Sequence, residues 1–182
     1  KDLRLSVSPA KQQVLGLQLG VKSVSFSRNG EHLVTGADDN SVILWNTSTG
    51  QEIVSLRGHI AGVNSVVFAI DGTRVATASD DSTAIIWDLR SEKPKAILKN
   101  HAGVVTGIAY SPCGTKIATA SYDQTVCVWD AHTCRPIRVL DGHSAAITSL
   151  AFSPDGRRLV TGADDHTACV WDVQTGQLVV VL

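Results

Sequence analysis

Residues 58–98 have the sequence GHIAGVNSVVFAIDGTRVATASDDSTAIIWDLRSEKPKAIL, which carries the clearest structural signal in the chain. Four segments rich in β-branched and apolar residues lie within it, at 63–68, 75–78, 83–87 and 95–98, and turn-forming residues separate them. The third segment is apolar on both faces, as expected of a strand in a sheet packed between two others. No part of the chain has an apolar period of about 3.6 residues, so we predict an all-β fold with essentially no helix.

The same pattern returns along the chain at an interval of 42 residues. The tryptophans, and sets of glycine, aspartate, threonine and histidine, all keep this interval: Trp45, Trp87, Trp129, Trp171; Gly30, Gly72, Gly114, Gly156; Asp39, Asp81, Asp123, Asp165; Thr35, Thr77, Thr119, Thr161; His59, His101, His143. A fixed period of this length indicates a repeat architecture. One four-stranded unit cannot bury both of its faces, so the units are expected to stack as blades around an axis.

These motifs resemble the WD-repeat β-propeller family. The resemblance rests on Gly58-His59 with Trp87-Asp88, on Gly142-His143 with Trp171-Asp172, and on His101 with Trp129-Asp130, while Trp45-Asn46 is a milder variant. It covers about residues 14–182. It implies four full repeats, in blades of about 15–56, 57–98, 99–140 and 141–182, with residues 1–14 as the tail of a preceding degenerate blade.

Family members usually close with about seven blades, so four blades would leave two open edges. We therefore expect a segment of a larger propeller, of seven or eight blades, whose open edges are completed by the rest of the chain or by another subunit. The absence of methionine points the same way. Pairing of two copies into an eight-bladed ring, a small self-closed ring and an open arc are the alternatives.

The resemblance also implies a buried hydrogen-bonded set of His, Thr, Asp and Trp in each repeat. The sets are His59, Thr77, Asp81, Trp87; His101, Thr119, Asp123, Trp129; and His143, Thr161, Asp165, Trp171. The chemistry is self-consistent, because Asp can accept from the imidazole N–H, while the Thr hydroxyl can meet both the other ring nitrogen and the indole N–H. The first repeat departs from the pattern, since Leu17 stands where histidine is expected, and Asp39 is expected to bond turn amides or water.

Composition and charge exclude several classes of function. An apolar content of 43% with a formal charge of −1 describes a soluble globular protein without general attraction to nucleic acid or anionic lipid. The longest aliphatic stretch, Leu178–Leu182, is far shorter than the roughly 20 residues that cross a bilayer. The four cysteines form no C-x-x-C pair, so reduced thiols in a cytoplasmic, or alternatively nuclear or ciliary, compartment are expected.

An enzyme is not predicted. Repeated buried copies of His, Asp and Thr are typical of architecture, whereas catalysis needs one exposed nucleophile in a cleft. No phosphate-binding glycine motif occurs, and the aspartate doublets, such as Asp80-Asp81, lack the pattern of a calcium loop. We expect no cofactor and no metal.

In similar propellers, the face that carries the turns between the second and third strands, together with the start of the first strand, recognises peptides. The corresponding positions here are Lys22, Asp38, Asn64, Asp80, Thr106, Tyr122, Thr148 and Asp164. Three carboxylates and one aromatic side chain favour a protein or peptide partner with basic residues next to an apolar side chain that covers Tyr122. The alternative is that these aspartates only support their own turns.

The expected function is that of a non-enzymatic scaffold that assembles other proteins. Two alternatives remain open at this point. One is the sensor part of a larger signalling protein or NTPase, and the other is a structural subunit of a ciliary or cytoskeletal assembly. The identity of the partner does not follow from the repeats, because propellers share a scaffold and differ in surface detail.

Overall fold

The computed structural model describes residues 20–182; Leu17 and the expected tail of a preceding blade, residues 1–14, lie outside this part of the chain. Within it, strands are joined by turns and no helix is present, as the sequence predicts. Each run of four successive strands forms one antiparallel sheet, with the strands in sequence order. The four described sheets therefore have the architecture of four propeller blades.

The strand bounds are as follows. The first sheet contains β1 (Val21–Phe26), β2 (His32–Ala37), β3 (Val42–Asn46) and β4 (Glu52–Leu56). The second contains β5 (Val63–Phe68), β6 (Arg74–Ser79), β7 (Ala84–Asp88) and β8 (Lys93–Leu98). The third contains β9 (Val105–Tyr110), β10 (Lys116–Ser121), β11 (Thr125–Asp130) and β12 (Pro136–Asp141), and the fourth contains β13 (Ile147–Phe152), β14 (Arg158–Ala163), β15 (Ala168–Asp172) and β16 (Leu178–Val181).

The outermost strand of the second sheet is longer than the sequence indicates. It begins at Lys93, two residues before the predicted start, and Pro94 pairs with Trp87 of the neighbouring strand. Proline has no N–H to donate, and an edge strand tolerates this because one side of it forms no ladder. Because proline favours turns, the predicted start of this strand was two residues too late.

The core consists of three apolar layers, one between each pair of adjacent sheets. Between the first and second sheets, Val34 and Leu44 pack with Val66, Phe68 and Trp87. The next two layers contain Trp129 and Trp171 in the equivalent position. Each of these three indoles faces the preceding sheet and is at most 2% exposed, so burial of tryptophan fixes the distance between blades.

The two end faces of the stack have no such layer among residues 20–182. On the first sheet, Val24 and Phe26 are 58% and 64% exposed, although their equivalents in the second sheet, Val66 and Phe68, are buried. On the fourth sheet, Leu182 is 73% exposed, whereas its equivalent Leu98 is buried. Sheets with unpartnered apolar faces are consistent with part of a larger propeller.

No helix among the described residues is long and apolar enough to span a membrane.

Candidate functional site: a recognition face and its supporting network

A hydrogen-bonded network holds the loops of each of the last three sheets. In the second sheet, His59 Nδ1 lies 2.7 Å from Asp81 Oδ2 and His59 Nε2 lies 2.7 Å from Thr77 Oγ1, which also accepts from the Trp87 indole N–H at 2.9 Å. The third and fourth sheets have the same contacts, within 0.2 Å of these distances: His101, Asp123, Thr119, Trp129; and His143, Asp165, Thr161, Trp171.

The contacts of His59 fit a neutral imidazole that carries its proton on Nδ1. Nδ1–H then donates to the carboxylate, and the threonine hydroxyl donates to the lone pair of Nε2. Burial is the main cause that lowers the pKa of His59, against the opposing effect of Asp81. Burial opposes ionisation of Asp81, yet hydrogen bonds from Thr83 and His59 hold the pKa of this carboxyl below its ordinary value. Ionised Asp81 and neutral His59 are therefore the stable pair.

The first sheet retains the tryptophan half of the network. Trp45 donates its indole N–H to Thr35 Oγ1 at 2.9 Å, and Asp39 Oδ1 accepts from the Ser41 amide at 3.1 Å. Trp45 is half-buried, because it faces away from the second sheet, whereas Trp87 is fully buried.

The network joins two loops on one face of the stack. The histidine precedes the first strand of its sheet, and the aspartate lies in the turn between the second and third strands. Backbone bonds add to this connection: the amides of Asp38, Asp80, Tyr122 and Asp164 donate to the carbonyls of Gly20, Gly62, Val104 and Ala146. Each turn residue predicted for partner binding is thus fixed to the loop before its own first strand.

The predicted first-strand residues Lys22, Asn64, Thr106 and Thr148 occupy β-bulges. In the second sheet, Val63 pairs with Ser79 and Ser65 with Ala78, so Asn64 has no partner in the ladder. The other three sheets skip the equivalent residue in the same way. A bulge redirects the side chain of the extra residue, and this places all four side chains on the same face as the turns. This group of eight residues is called the recognition face below.

Six residues of the recognition face line one shallow depression of about 390 Å³, together with Val104, which the sequence analysis did not identify: Lys22, Asn64, Asp80, Thr106, Tyr122 and Thr148. Asp38 reaches its edge through Lys22, and Asp164 is exposed in the turn of the fourth sheet outside the depression. Tyr122 is 53% exposed. Val104 belongs to the 42-residue series with Gly20, Gly62 and Ala146, so the repeat interval was the signal that could have found it.

Lys22 offsets part of the negative charge of the face. Lys22 Nζ lies 2.7 Å from Asp38 Oδ1 and 3.8 Å from Asp80 Oδ2, and it donates to Asn64 Oδ1 at 3.0 Å. The hydrogen bond with Asp38 is the main cause that raises the pKa of Lys22, so this amine is a cation at neutral pH. Two of the three carboxylates are therefore partly compensated, whereas Asp164 has no ion-pair partner within residues 20–182.

Two bulge residues also bridge adjacent sheets. Asn64 Nδ2 donates to Asp80 Oδ1 at 2.7 Å and to the Val105 carbonyl of the third sheet at 3.1 Å. Thr106 Oγ1 donates to the Ile147 carbonyl of the fourth sheet at 2.7 Å. Because these contacts fix the side chains across the sheet junctions, the face is a preorganised surface. Within residues 20–182 no group of three or more His, Cys, Asp or Glu residues is placed to hold a metal ion.

Comparison with known proteins gives a family match and local similarity to curated proteins. A family model described as "WD domain, G-beta repeat" matches residues 12–46, 50–88, 92–130 and 134–172. Each unit from 50–88 onward begins with the outermost strand of one sheet and ends with the third strand of the next, so consecutive sheets share a unit. Protein tipD of Dictyostelium discoideum is 44% identical over 50 residues, which cover 28% of this chain and 8% of that protein.

Proposed function

Because the chain belongs to the WD40 repeat family, whose members generally serve as non-enzymatic scaffolds for protein interaction, we propose that it binds a peptide segment of another protein through the recognition face. One observation carries the proposal most directly. The bulge residues and turn residues of adjacent sheets meet in one depression, and the half-exposed Tyr122 is one of its lining residues.

The chemistry of the depression favours a particular kind of segment. Tyr122 offers an aromatic surface with a polar end, a combination enriched in the residues that dominate binding energy at interfaces. Asp164 lies in the next sheet at the position equivalent to Tyr122 and carries a charge without an ion-pair partner among residues 20–182. The proposed ligand therefore places an apolar side chain on Tyr122 and a lysine or arginine towards Asp164.

Lys22 adds a second element of selectivity. It holds Asp38 and Asp80 in an internal ion pair at one side of the depression. A basic ligand residue on that side would have to displace or approach a cation, which disfavours it. An acidic or amide side chain of the ligand fits there better, so the ligand is expected to be asymmetric in charge.

A selection from a displayed library of random peptides tests this proposal. The purified protein is the bait, and a Tyr122→Ala variant is used for counter-selection. We expect the enriched peptides to contain an apolar residue next to a lysine or arginine. The same peptides should be rare among those that also bind the Tyr122→Ala variant. Enrichment of peptides that bind wild type and variant equally would contradict it.

A further inference from the structure

A second cleft, of about 760 Å³, opens between the third and fourth sheets on the side opposite the recognition face. Its position follows from the topology, because the turns between first and second strands lie at the opposite sheet ends from the turns between second and third strands. The lining comes from the turns after β9, β13 and β15, from strand β12, and from the adjoining ends of β10, β14 and β15. The turns of the two sheets are close: a Cβ on Gly156 would lie 3.5 Å from Pro112 Cδ.

The cleft has an excess of positive charge. Its charged residues are Lys116, Arg138, Arg157, Arg158, Asp155 and Asp172. Both carboxylates are engaged: Asp155 Oδ1 accepts from the Ser153 hydroxyl and the Arg157 amide, and Asp172 Oδ2 pairs with Arg158 Nη1 at 2.7 Å. Within residues 20–182, Lys116, Arg138 and Arg157 form no ion pair, although Arg157 interacts electrostatically with Asp155. Four cations against two carboxylates leave a surplus of two positive charges for an anionic ligand.

Cys113 also lines this cleft, at a position where the other repeats have a hydrogen-bond acceptor. The equivalent residues of the other repeats are Asn29, Asp71 and Asp155, and each accepts hydrogen bonds of its own turn through a side-chain oxygen. In Cys113 the sulfur occupies this place, 3.4 Å from Ser111 Oγ and 3.0 Å from Thr115 Oγ1, and as a thiolate it accepts from both hydroxyls.

This environment favours the thiolate. Hydrogen bonds from Ser111 and Thr115 lower the pKa of the Cys113 thiol to about 7. The thiolate is the nucleophile in thiol–disulfide exchange. The side chain is exposed, whereas Cys127 and Cys169 are buried, and burial raises the pKa of Cys134.

We propose that the cleft between the third and fourth sheets binds a small anionic disulfide of the glutathione class, and that Cys113 forms a mixed disulfide with it. The Cys113 thiolate attacks one sulfur of glutathione disulfide, a new S–S bond forms to Sγ, and the original S–S bond breaks. The electron pair of that bond leaves on the second glutathione sulfur as a thiolate, which takes a proton from water. The disulfide itself is the oxidant, so the exchange is balanced. A glutathionyl group has more carboxylates than ammonium groups, which complements the surplus cations of the cleft.

The test uses the fully reduced protein and two disulfides, glutathione disulfide and the uncharged bis(2-hydroxyethyl) disulfide. Adducts are counted by intact mass and located by peptide mapping, and their rates of formation are followed from pH 5.5 to 8.5. The variants are Cys113→Ser and the pair Arg138→Gln with Arg157→Gln. The expected result is one glutathionyl adduct, at Cys113, with a rate that is half-maximal near pH 7.

The double variant separates the cleft from a merely exposed thiol. We expect it to slow the reaction with glutathione disulfide roughly tenfold, at the low end of the effect of charged clefts on rates, and to leave the reaction with the uncharged disulfide unchanged. An adduct mainly at Cys134, or an equal effect of the double variant on both disulfides, would overturn the proposal. Because the cleft lies opposite the recognition face, neither result depends on peptide binding there.

Discussion

The indole N–H of Trp87 donates to the hydroxyl oxygen of Thr77 at 2.9 Å, and the same hydroxyl contacts His59 Nε2 at 2.7 Å. Thr77 is fully buried. This one oxygen therefore connects the tryptophan that packs between sheets with the histidine that holds the loops of the recognition face. Loss of this oxygen would leave two buried polar groups, the Trp87 indole N–H and His59 Nε2, without their hydrogen-bond partner.

Replacement of Thr77 by valine preserves the shape of the side chain and removes the shared hydroxyl. The expected loss in free energy of unfolding is about 2–4 kcal/mol, since the indole N–H and the imidazole nitrogen are each left without a partner. Urea denaturation followed by tryptophan fluorescence measures it. Thr35→Val is the matched control, because Thr35 accepts from the half-buried Trp45. It is expected to reduce the free energy of unfolding by about half as much. Equal losses in the two variants would contradict the shared role of Thr77.

Stability is expected to fall as the medium becomes mildly acidic. The folded-state pKa of His59 lies below its ordinary value of 6.5, so the unfolded chain takes up the proton first. The contribution of His59 is complete above pH 6.5 and is lost as the pH falls towards its folded pKa. Asp81 and Asp123, whose pKa values are lowered, make a second stabilising contribution, which is complete above the ordinary value of 3.8 and is lost as the pH falls below it.

Urea unfolding at a series of pH values between 8 and 5 measures the first of these losses, in the wild type and in His59→Gln. We expect the variant to be less stable throughout and to have a shallower dependence on pH below 6.5. An identical pH dependence in both proteins would show that His59 is not the responsible group.

Gly58 is required by the close approach of the backbone to Trp87. A Cβ on Gly58 would lie 2.8 Å from Trp87 Cη2, and this indole is fully buried and has no room to move. Gly58→Ala is therefore expected to destabilise the protein by about 1–3 kcal/mol, measured by urea denaturation. Asn100 occupies the equivalent position next to Trp129 and already accommodates a side chain. Asn100→Ala is the control, with an expected cost below about 1 kcal/mol, and a larger loss there than at Gly58 would refute the steric argument.

Lys22 is expected to affect the charge of the recognition face more than the stability of the folded protein. Its ion pairs with Asp38 and Asp80 join side chains that are all more than a third exposed, and such pairs stabilise little. Lys22→Met leaves both carboxylates uncompensated. The association rate of a lysine- or arginine-containing peptide selected on the protein should rise several-fold at low salt and become more sensitive to ionic strength.

Surface plasmon resonance at two salt concentrations measures this association rate. Lys116→Met, on the opposite side of the stack, removes the same charge from a distant position and should leave the rate unchanged. A rise of the same size in both variants would mean that only net charge matters.

The sequence predicted the blades well because the period of 42 residues and the apolar third strands are local and repeated. It failed at Pro94, since pairing of that edge strand depends on a neighbour and not on proline's turn propensity. The bulges at Lys22 and Asn64 arise from register between strands, which local residue types do not encode. The compensation of Asp80 by Lys22 joins two different sheets, so it required the packing of the blades.

The most direct test of the account is the dissociation constant of one library-selected peptide for the wild type, for Tyr122→Ala and for Ile137→Ala. Tyr122 and Ile137 are both exposed apolar side chains, but Ile137 lines the opposite cleft. Isothermal titration calorimetry should give an affinity at least tenfold weaker for Tyr122→Ala, a loss of about 1.4 kcal/mol or more, and an unchanged value for Ile137→Ala. Equal affinity of the wild type and Tyr122→Ala would contradict binding at the recognition face.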